Sequence, residues 1–534
     1  MAIVRHLALA LIVAGAHWLA AGQNTPNPPN GQNAPGQNAA GQNASGQNPP
    51  DASQPDLLYP DPIQPGESTV NRPGSPDGPQ PMDSSAAEAT AEIRVAPVAA
   101  VSGRAGFISA ESEEDTNSEL PQIPPLLGGR GMTLAFTAEK ERSNYLRGGV
   151  NVGAAYDDNP LLLSSNAVSN VSGTVFPNLR IEETTSRTRW ELGYAGGLTV
   201  NQRFTNQNQG SHDLSFDSQY RLSPHVNLRV AENFLMTTGV FDAGAGGLGQ
   251  GEAGTPNASI LAPLAPQKSS LTTVETNYHY ALNDLVGAGG SFYDLRYGNV
   301  AEQSSVQLTN EQMASGVGFW LHRFFPGNWG GASYRFQRIT YGSNGEARVH
   351  DWMAVDEMKL TSHVSLNGFI GPEYTMTQET ESGTATTQAN QWSVTGGAAV
   401  SWQDVRTTLT AGYSRTTSDG GGVLGAVRLQ TVHGSVRRQL VRGWSGDAAA
   451  NRGTNDSLTV PYAGGISSVN LTSAGGGLER TVRKGLELRF SYNHDFQREL
   501  TVSGTAGVSP AWSNASRNRV AVMLSYQWAK PLGM

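Results

Sequence analysis

Residues 518–528 read Asn-Arg-Val-Ala-Val-Met-Leu-Ser-Tyr-Gln-Trp. Val520, Val522, Leu524, Tyr526 and Trp528 fall on one face of an extended chain. Arg519, Ala521, Met523, Ser525 and Gln527 fall on the other. Side chains alternate at period two along a strand, so one side is apolar and the other is mostly small or polar. In a soluble sandwich this is a half-buried strand. Here the same pattern recurs for almost four hundred residues, with no other core in the sequence.

Working outward from that stretch, the run from Tyr145 places Leu146, Val150, Val152, Ala154 and Tyr156 together. Trp190, Leu192, Tyr194, Leu198 and Val200 oppose Arg189, Glu191, Gly193 and Asn201. Similar faces recur at Leu214, Phe216 and Tyr220, at Val274, Tyr278 and Tyr280, at Trp392, Val394 and Val400, and at Leu486, Leu488 and Phe490. Period and composition mark these as strands. Asp356 and Pro372 fall inside two such runs, and the runs near 424–441 and 466–483 change phase midway, which points to bulges or kinks.

The joints set the topology. Short ones fall at 183–186, 223–225, 283–284, 325–328, 362–363, 403–405, 441–443 and 483–485. Longer ones fall at 157–170, 205–210, 239–268, 298–311, 342–348, 377–387, 418–423, 454–466 and 500–514. Short and long alternate throughout, as in membrane barrels with short turns on one side and longer loops on the other. The count predicts an all-β transmembrane antiparallel up-and-down barrel of about 18 strands (16–18), apolar outside and wet inside. Closure leaves no backbone edge unpaired in hydrocarbon. With this topology Trp190, Trp329, Trp402, Trp444 and Trp528 fall at turn-side strand ends. Tyr156, Phe204, Tyr341, Trp352, Tyr374, Trp392 and Tyr413 fall near loop-side ends, as two interfacial girdles require.

Composition agrees. The chain has 534 residues, 63 glycines, 29 prolines, 15% charged residues and no cysteine. Disulfides, thiolate metal sites and a lipid-anchoring cysteine are therefore excluded. Residues 1–22 have the pattern of a secretory signal, with Arg5 before an apolar run and Ala20-Ala21-Gly22 at its end. Residues 23–130 form a biased arm, opening on Gly-Gln-Asn repeats and holding 13 acidic against 4 basic residues. Such a segment buries too little apolar area to offset its chain entropy and is expected to be disordered. Residues 131–534 form the barrel. Their 32 acidic and 31 basic residues leave no basic stripe for nucleic acid.

Tyr156-Asp157-Asp158-Asn159-Pro160-Leu161, together with Tyr220-Arg221-Leu222-Ser223-Pro224 and Phe234, resembles Gram-negative outer-membrane porins of the β-barrel porin-2 type, allied to barrels found with exopolysaccharide systems. The resemblance implies an outer-membrane barrel and supplies no catalytic residue.

Candidate chemistry is sparse. His212-Asp213, His350-Asp351 and His494-Asp495 lie at loop-side strand ends. Neighbours on a strand point to opposite faces, so the histidines turn outward and the aspartates inward. That disfavours a dyad and suggests Asp213, Asp351 and Asp495 as an acidic collar at the pore mouth. Asp157-Asp158-Asn159 lacks the ligand spacing of a calcium loop and reads as a turn. Arg189, Glu191, Arg229, Arg335, Glu487, Arg489 and Arg519 face inward as pore-lining charges that tune passage. No catalytic, cofactor or metal set is expected.

The sequence therefore points to a porin-like, non-enzymatic outer-membrane barrel passing small hydrophilic solutes, with its N-terminal arm in the periplasm. An exopolysaccharide-export conduit is the alternative, and a structural or surface-binding barrel occluded by residues 239–268 is a further one. Expected partners are outer-membrane lipid and lipopolysaccharide, the barrel-assembly machinery and the solutes; a homo-oligomer is compatible with all of these.

Overall fold

The computed structural model describes residues 122–127, 130–133, 144–237, 260–261, 265–298, 308–342, 345–380, 386–458, 466–501 and 511–532. The expected signal segment, and the biased arm apart from residues 122–127 and 130, lie outside them. Strands β1 (Gln122–Leu127) and β2 (Arg130–Thr133) pair as a short antiparallel hairpin.

The barrel starts with β3 (Tyr145–Asp157), β4 (Asn170–Thr184), β5 (Thr188–Asn201), β6 (Gln209–Arg221), β7 (Val226–Thr237) and β8 (Gln267–Ala281). It continues with β9 (Asp284–Tyr297), β10 (Glu311–Phe325), β11 (Asn328–Tyr341), β12 (Gly345–Lys359), β13 (Val364–Thr380) and β14 (Thr386–Gln403). It closes with β15 (Thr407–Gly420), β16 (Leu424–Val441), β17 (Trp444–Ser457), β18 (Ile466–Arg483), β19 (Leu486–Thr501) and β20 (Ala511–Pro531). Each strand pairs antiparallel with the next, and β20 pairs with β3. The result is a closed ring of eighteen strands, as the alternating joints predict.

Alternation decides what faces out. On β20, Val520, Val522, Leu524, Tyr526 and Trp528 are 38–48% exposed, whereas Arg519 and Ser525 are buried. The outward band holds exposed Val, Leu, Tyr and Trp on every side of the ring. A face this apolar is matched to hydrocarbon rather than water. The loop-side girdle is carried by Tyr156, Tyr334, Trp352, Trp392 and Tyr413. Trp352, Tyr374 and Trp392 form one contiguous aromatic patch.

Three aromatics depart from their expected places. Trp329 and Tyr341 are buried on the inner face of β11, and Phe204 packs in a loop cluster with Leu161. The phase changes in β16 and β18 are not bulges. Their ladders run in register through the region, with shifts only near strand ends. Below, Val432, Leu440, Leu478 and Val482 face out; at the loop side Val427, Leu429, Val469 and Leu471 are buried within the bore. The apolar residues change sides because that end of the wall is packed on its inner surface. Asp356 is paired in β12 and accepts from Asn328 Nδ2 at 3.0 Å, and Pro372 holds register opposite Val394.

Candidate functional site: the bore and its two ends

The bore is asymmetric in chemistry. On β4–β7, on β17, β19 and β20, and on the turn-side half of β16 and β18 its inner face is charged, and most charges are matched across neighbouring strands. Arg180 pairs with Glu191, and Arg189 with Glu182 at 3.2 Å. Arg229 meets Asp217 at 2.5 Å, on the face of β6 that also carries Asp213. Arg489 bridges Asp447 at 3.0 Å and Glu479 at 3.6 Å, with Glu487 close to Glu479. Arg517 holds Asp495 at 3.1 Å, and Arg519 lies near Asp495 and Asp157.

Exposure divides these groups into two sets. Arg437 keeps 62% of its side chain open beside Glu479, Arg229 keeps 30% and Arg189 keeps 26%. Arg335 and Asp351 keep 1% and 0%. Arg335 Nε donates to Asp351 Oδ2 at 2.6 Å, and the Asp351 carboxyl also meets Glu373. Ser393 and Thr417 hydroxyls donate to Glu373 Oε1, each at 2.8 Å. Asp351 and Asp495 thus carry arginine partners, and on β6, β12 and β19 the three aspartates are well separated around the ring. The histidines beside them turn outward: Tyr194 Oη lies 2.9 Å from His212 Nδ1, and Tyr334 Oη 2.8 Å from His350 Nδ1. Among the described residues no group of His, Cys, Asp and Glu is placed to hold a metal ion.

Three contacts shape the loop-side mouth, and the last two of them reach inward. First, Asp157-Asp158-Asn159 ties the β3–β4 loop to β20. Asn518 donates through its backbone N–H to Asp158 Oδ1 at 2.6 Å and through Nδ2 to Asp158 Oδ2 at 2.7 Å, while Asn159 Nδ2 donates to Ser516 O at 2.9 Å. Those oxygens are spent on a turn and a strand clip. Second, Ile260 and Leu261, from the long β7–β8 connection, reach the far wall. Leu261 exchanges two hydrogen bonds with the Gln497 side chain of β19, and Ile260 packs with Leu424, Val427 and Val469.

Third, the β15–β16 tip curls inward. The β14–β15 ladder stops at Gly396–Arg415, whereas β13–β14 continues to Thr380–Thr386. Above that point Thr416, Thr417, Ser418 and Asp419 are all buried. The tip crosses to β9–β10, where Tyr297 Oη donates to Gly421 O and Thr309 N–H donates to Gly422 O, both at 2.8 Å. Gly422 has φ +77°, and a Cβ there would lie 2.2 Å from the Tyr297 ring, so only glycine fits. At this contact the buried carboxyls of Glu311 and Asp419 meet.

The turn-side half of β9–β12 is different again. Leu285, Val317, Phe319, Leu321, Trp329, Met353 and Val355 all face inward, at 0–7% exposure. The wall passed unnoticed in the sequence because β10 is apolar on both faces: Trp320 and Phe324 face out while Val317, Phe319 and Leu321 face in. Period-two reading has no contrast to work with there.

No protein-family model matches the chain, and no curated protein matches it by sequence. Solved structures resemble it in fold. The ferric citrate transporter FecA aligns with TM-score 0.39 and 8% identity, over 73% of this chain and 80% of its own. The outer membrane protein OpdK from Pseudomonas aeruginosa aligns with TM-score 0.37 and 12% identity, over 72% and 99%. Pseudomonas aeruginosa OccK2 in complex with glucuronate aligns with TM-score 0.37 and 11% identity, over 72% and 98%.

Proposed function

We propose that the protein is a porin-like barrel of the Gram-negative outer membrane, passing small hydrophilic solutes by diffusion, with its N-terminal arm in the periplasm. The supporting observation is the charged strip inside a closed ring whose outside is apolar. Arg437, Arg229 and Arg189 keep contact with open space, and most inner charges have a counter-charge. Matched charges keep water in the bore without trapping one sign of ion. The passage then runs along β4–β7 and β16–β20, and these exposed residues set its selectivity. Asp213 and the Asp495–Arg517 pair flank its loop-side end.

Lipopolysaccharide is the expected neighbour outside. Arg338 and Arg348 flank Glu346 on the outer surface, at 2.7 and 2.5 Å, beyond the aromatic girdle where anionic headgroups begin. The inserts at the mouth favour a second reading, an occluded surface barrel. Recording from purified protein in a planar bilayer separates the two. Step-like conductance that charge reversal at Arg437 shifts between anion and cation preference supports the channel. A silent trace that stays silent when residues 239–259 are removed sinks it.

A further inference from the structure

We propose that the turn-side apolar wall of β9–β12 is a docking surface for the chain's own segment Gln122–Leu127, which seats there and narrows the bore. The wall is Leu285, Val317, Phe319, Leu321, Trp329, Met353 and Val355. In a bore about 36 Å across, estimated from eighteen strands at the usual spacing and tilt, such a wall would face water. It does not: Leu285 is 0% exposed and Leu321 2%. Neighbouring wall side chains shield each other only sideways, so burial this complete needs a cover from within.

The loop-side part of the same wall shows what such a cover looks like. There Tyr293, Leu295, Met313 and Ile339 are sealed by Ala426 of the curled β15–β16 tip. Among the described residues the turn-side cluster holds no partner from across the barrel. β1 lies against β9, β10 and β12.

Composition and reach both fit this occupant. The acidic, polar arm ends in Ile123-Pro124-Pro125-Leu126-Leu127, an apolar run without charge. Two prolines disfavour helix and suit an extended strand lying on another surface. Eleven residues, 134–144, separate the hairpin from β3. They span at most about 36–40 Å when extended. That is just enough to cross the turn-side opening from β3 to the opposite wall. The segment therefore enters from the side where β3 begins. A two-stranded ribbon covers about 10 Å of the bore, leaving the charged strip on the other side open.

The absence of cysteine makes the test clean. Full-length chains carrying one cysteine at position 123 or 126 (Ile123→Cys or Leu126→Cys) and one at 317 or 355 (Val317→Cys or Val355→Cys) are folded in lipid and oxidised. A linked tryptic peptide within one chain is expected for at least one pair and for none with the first cysteine at position 40 (Ala40→Cys). Failure of all four pairs overturns the docking, and so does linkage only between two chains, which would make a second copy the occupant. Bilayer conductance then tests the narrowing. Removing residues 122–133 should raise it by a factor on the order of two, while removing 30–41 should not. Linkage with unchanged conductance retains the docking and overturns the narrowing. Linkage in a barrel that never conducts leaves the docking intact and defeats the channel reading instead.

Discussion

Replacing Arg335 by methionine should cost more than neutralising its partner. Arg335 and Asp351 are both essentially inaccessible, and Glu373 touches Asp351 from the next strand. The cluster holds one cation against two carboxyls. Removing one member of a buried pair typically costs about 3–5 kcal/mol. In Asp351→Asn the cation keeps Glu373 nearby, so the loss falls at or below the low end of that range. In Arg335→Met two adjoining buried carboxyls lose the guanidinium that holds Asp351, which places the loss at the high end. Urea unfolding of the vesicle-inserted barrel, followed by tryptophan fluorescence, measures both variants. Equal losses, or losses below about 1 kcal/mol, would refute the reasoning.

Other expectations concern the mouth and the passage. Glu311 and Asp419 lie beyond the outer girdle: Asp419 is six residues past Tyr413 on β15, and Glu311 pairs with Tyr341, seven past Tyr334 on β11. Burial pushes both carboxyls up, Glu311 further because Asp419 adds like charge. The closed tip therefore binds protons that a parted tip releases; it is favoured in acid and weakens as pH rises through the raised values. Single-channel open time should lengthen with pH, up to tenfold per unit for one proton, and flatten in the Glu311→Gln/Asp419→Asn double variant. Gly422→Val should displace the tip from Tyr297 and raise protease cutting near residue 421, seen as new fragments on gels; an unchanged digest would contradict the assigned contact. Gln497→Leu removes both bonds to Leu261, each worth about 1 kcal/mol net, and should speed amide exchange at 260–261. If the barrel conducts as proposed, Arg189→Glu should move reversal potential toward cation preference, whereas Arg335→Met should not, because Arg189 keeps 26% of its side chain open and Arg335 keeps 1%.

The strand count and every short joint were legible in the sequence, since lipid on one face and water on the other imposes period two for the full length of each strand. The Asp157-Asp158-Asn159 turn was legible too, because its chemistry is local. Where the inner face is apolar, the rule loses its contrast. That is why Trp329 and Tyr341 were expected outside, and why Val427 and Val469 looked like a phase change rather than the seat of Ile260. The contacts from Tyr297 to Gly421 and from Leu261 to Gln497 join residues more than a hundred positions apart, and no spacing announces them. Arg335 illustrates the remaining gap. Alternation points it inward, but only the register with β12 and the burial around it distinguish a sealed ion pair from a solute contact.

Because the first barrel strand is bonded to the last, the ring has a seam, and Asp158 with Asn518 is its clasp. The two residues lie 360 positions apart in the chain and meet where the ring closes. The clasp is therefore a marker of completed assembly: a population in which it can still be cut or labelled is one whose ring has not yet shut. Asp158→Ala would remove only the side-chain half of this contact, because the β3–β20 ladder and the bond from Asp158 N–H to Asn518 O remain, so it should open the seam to labelling without preventing the cylinder from forming.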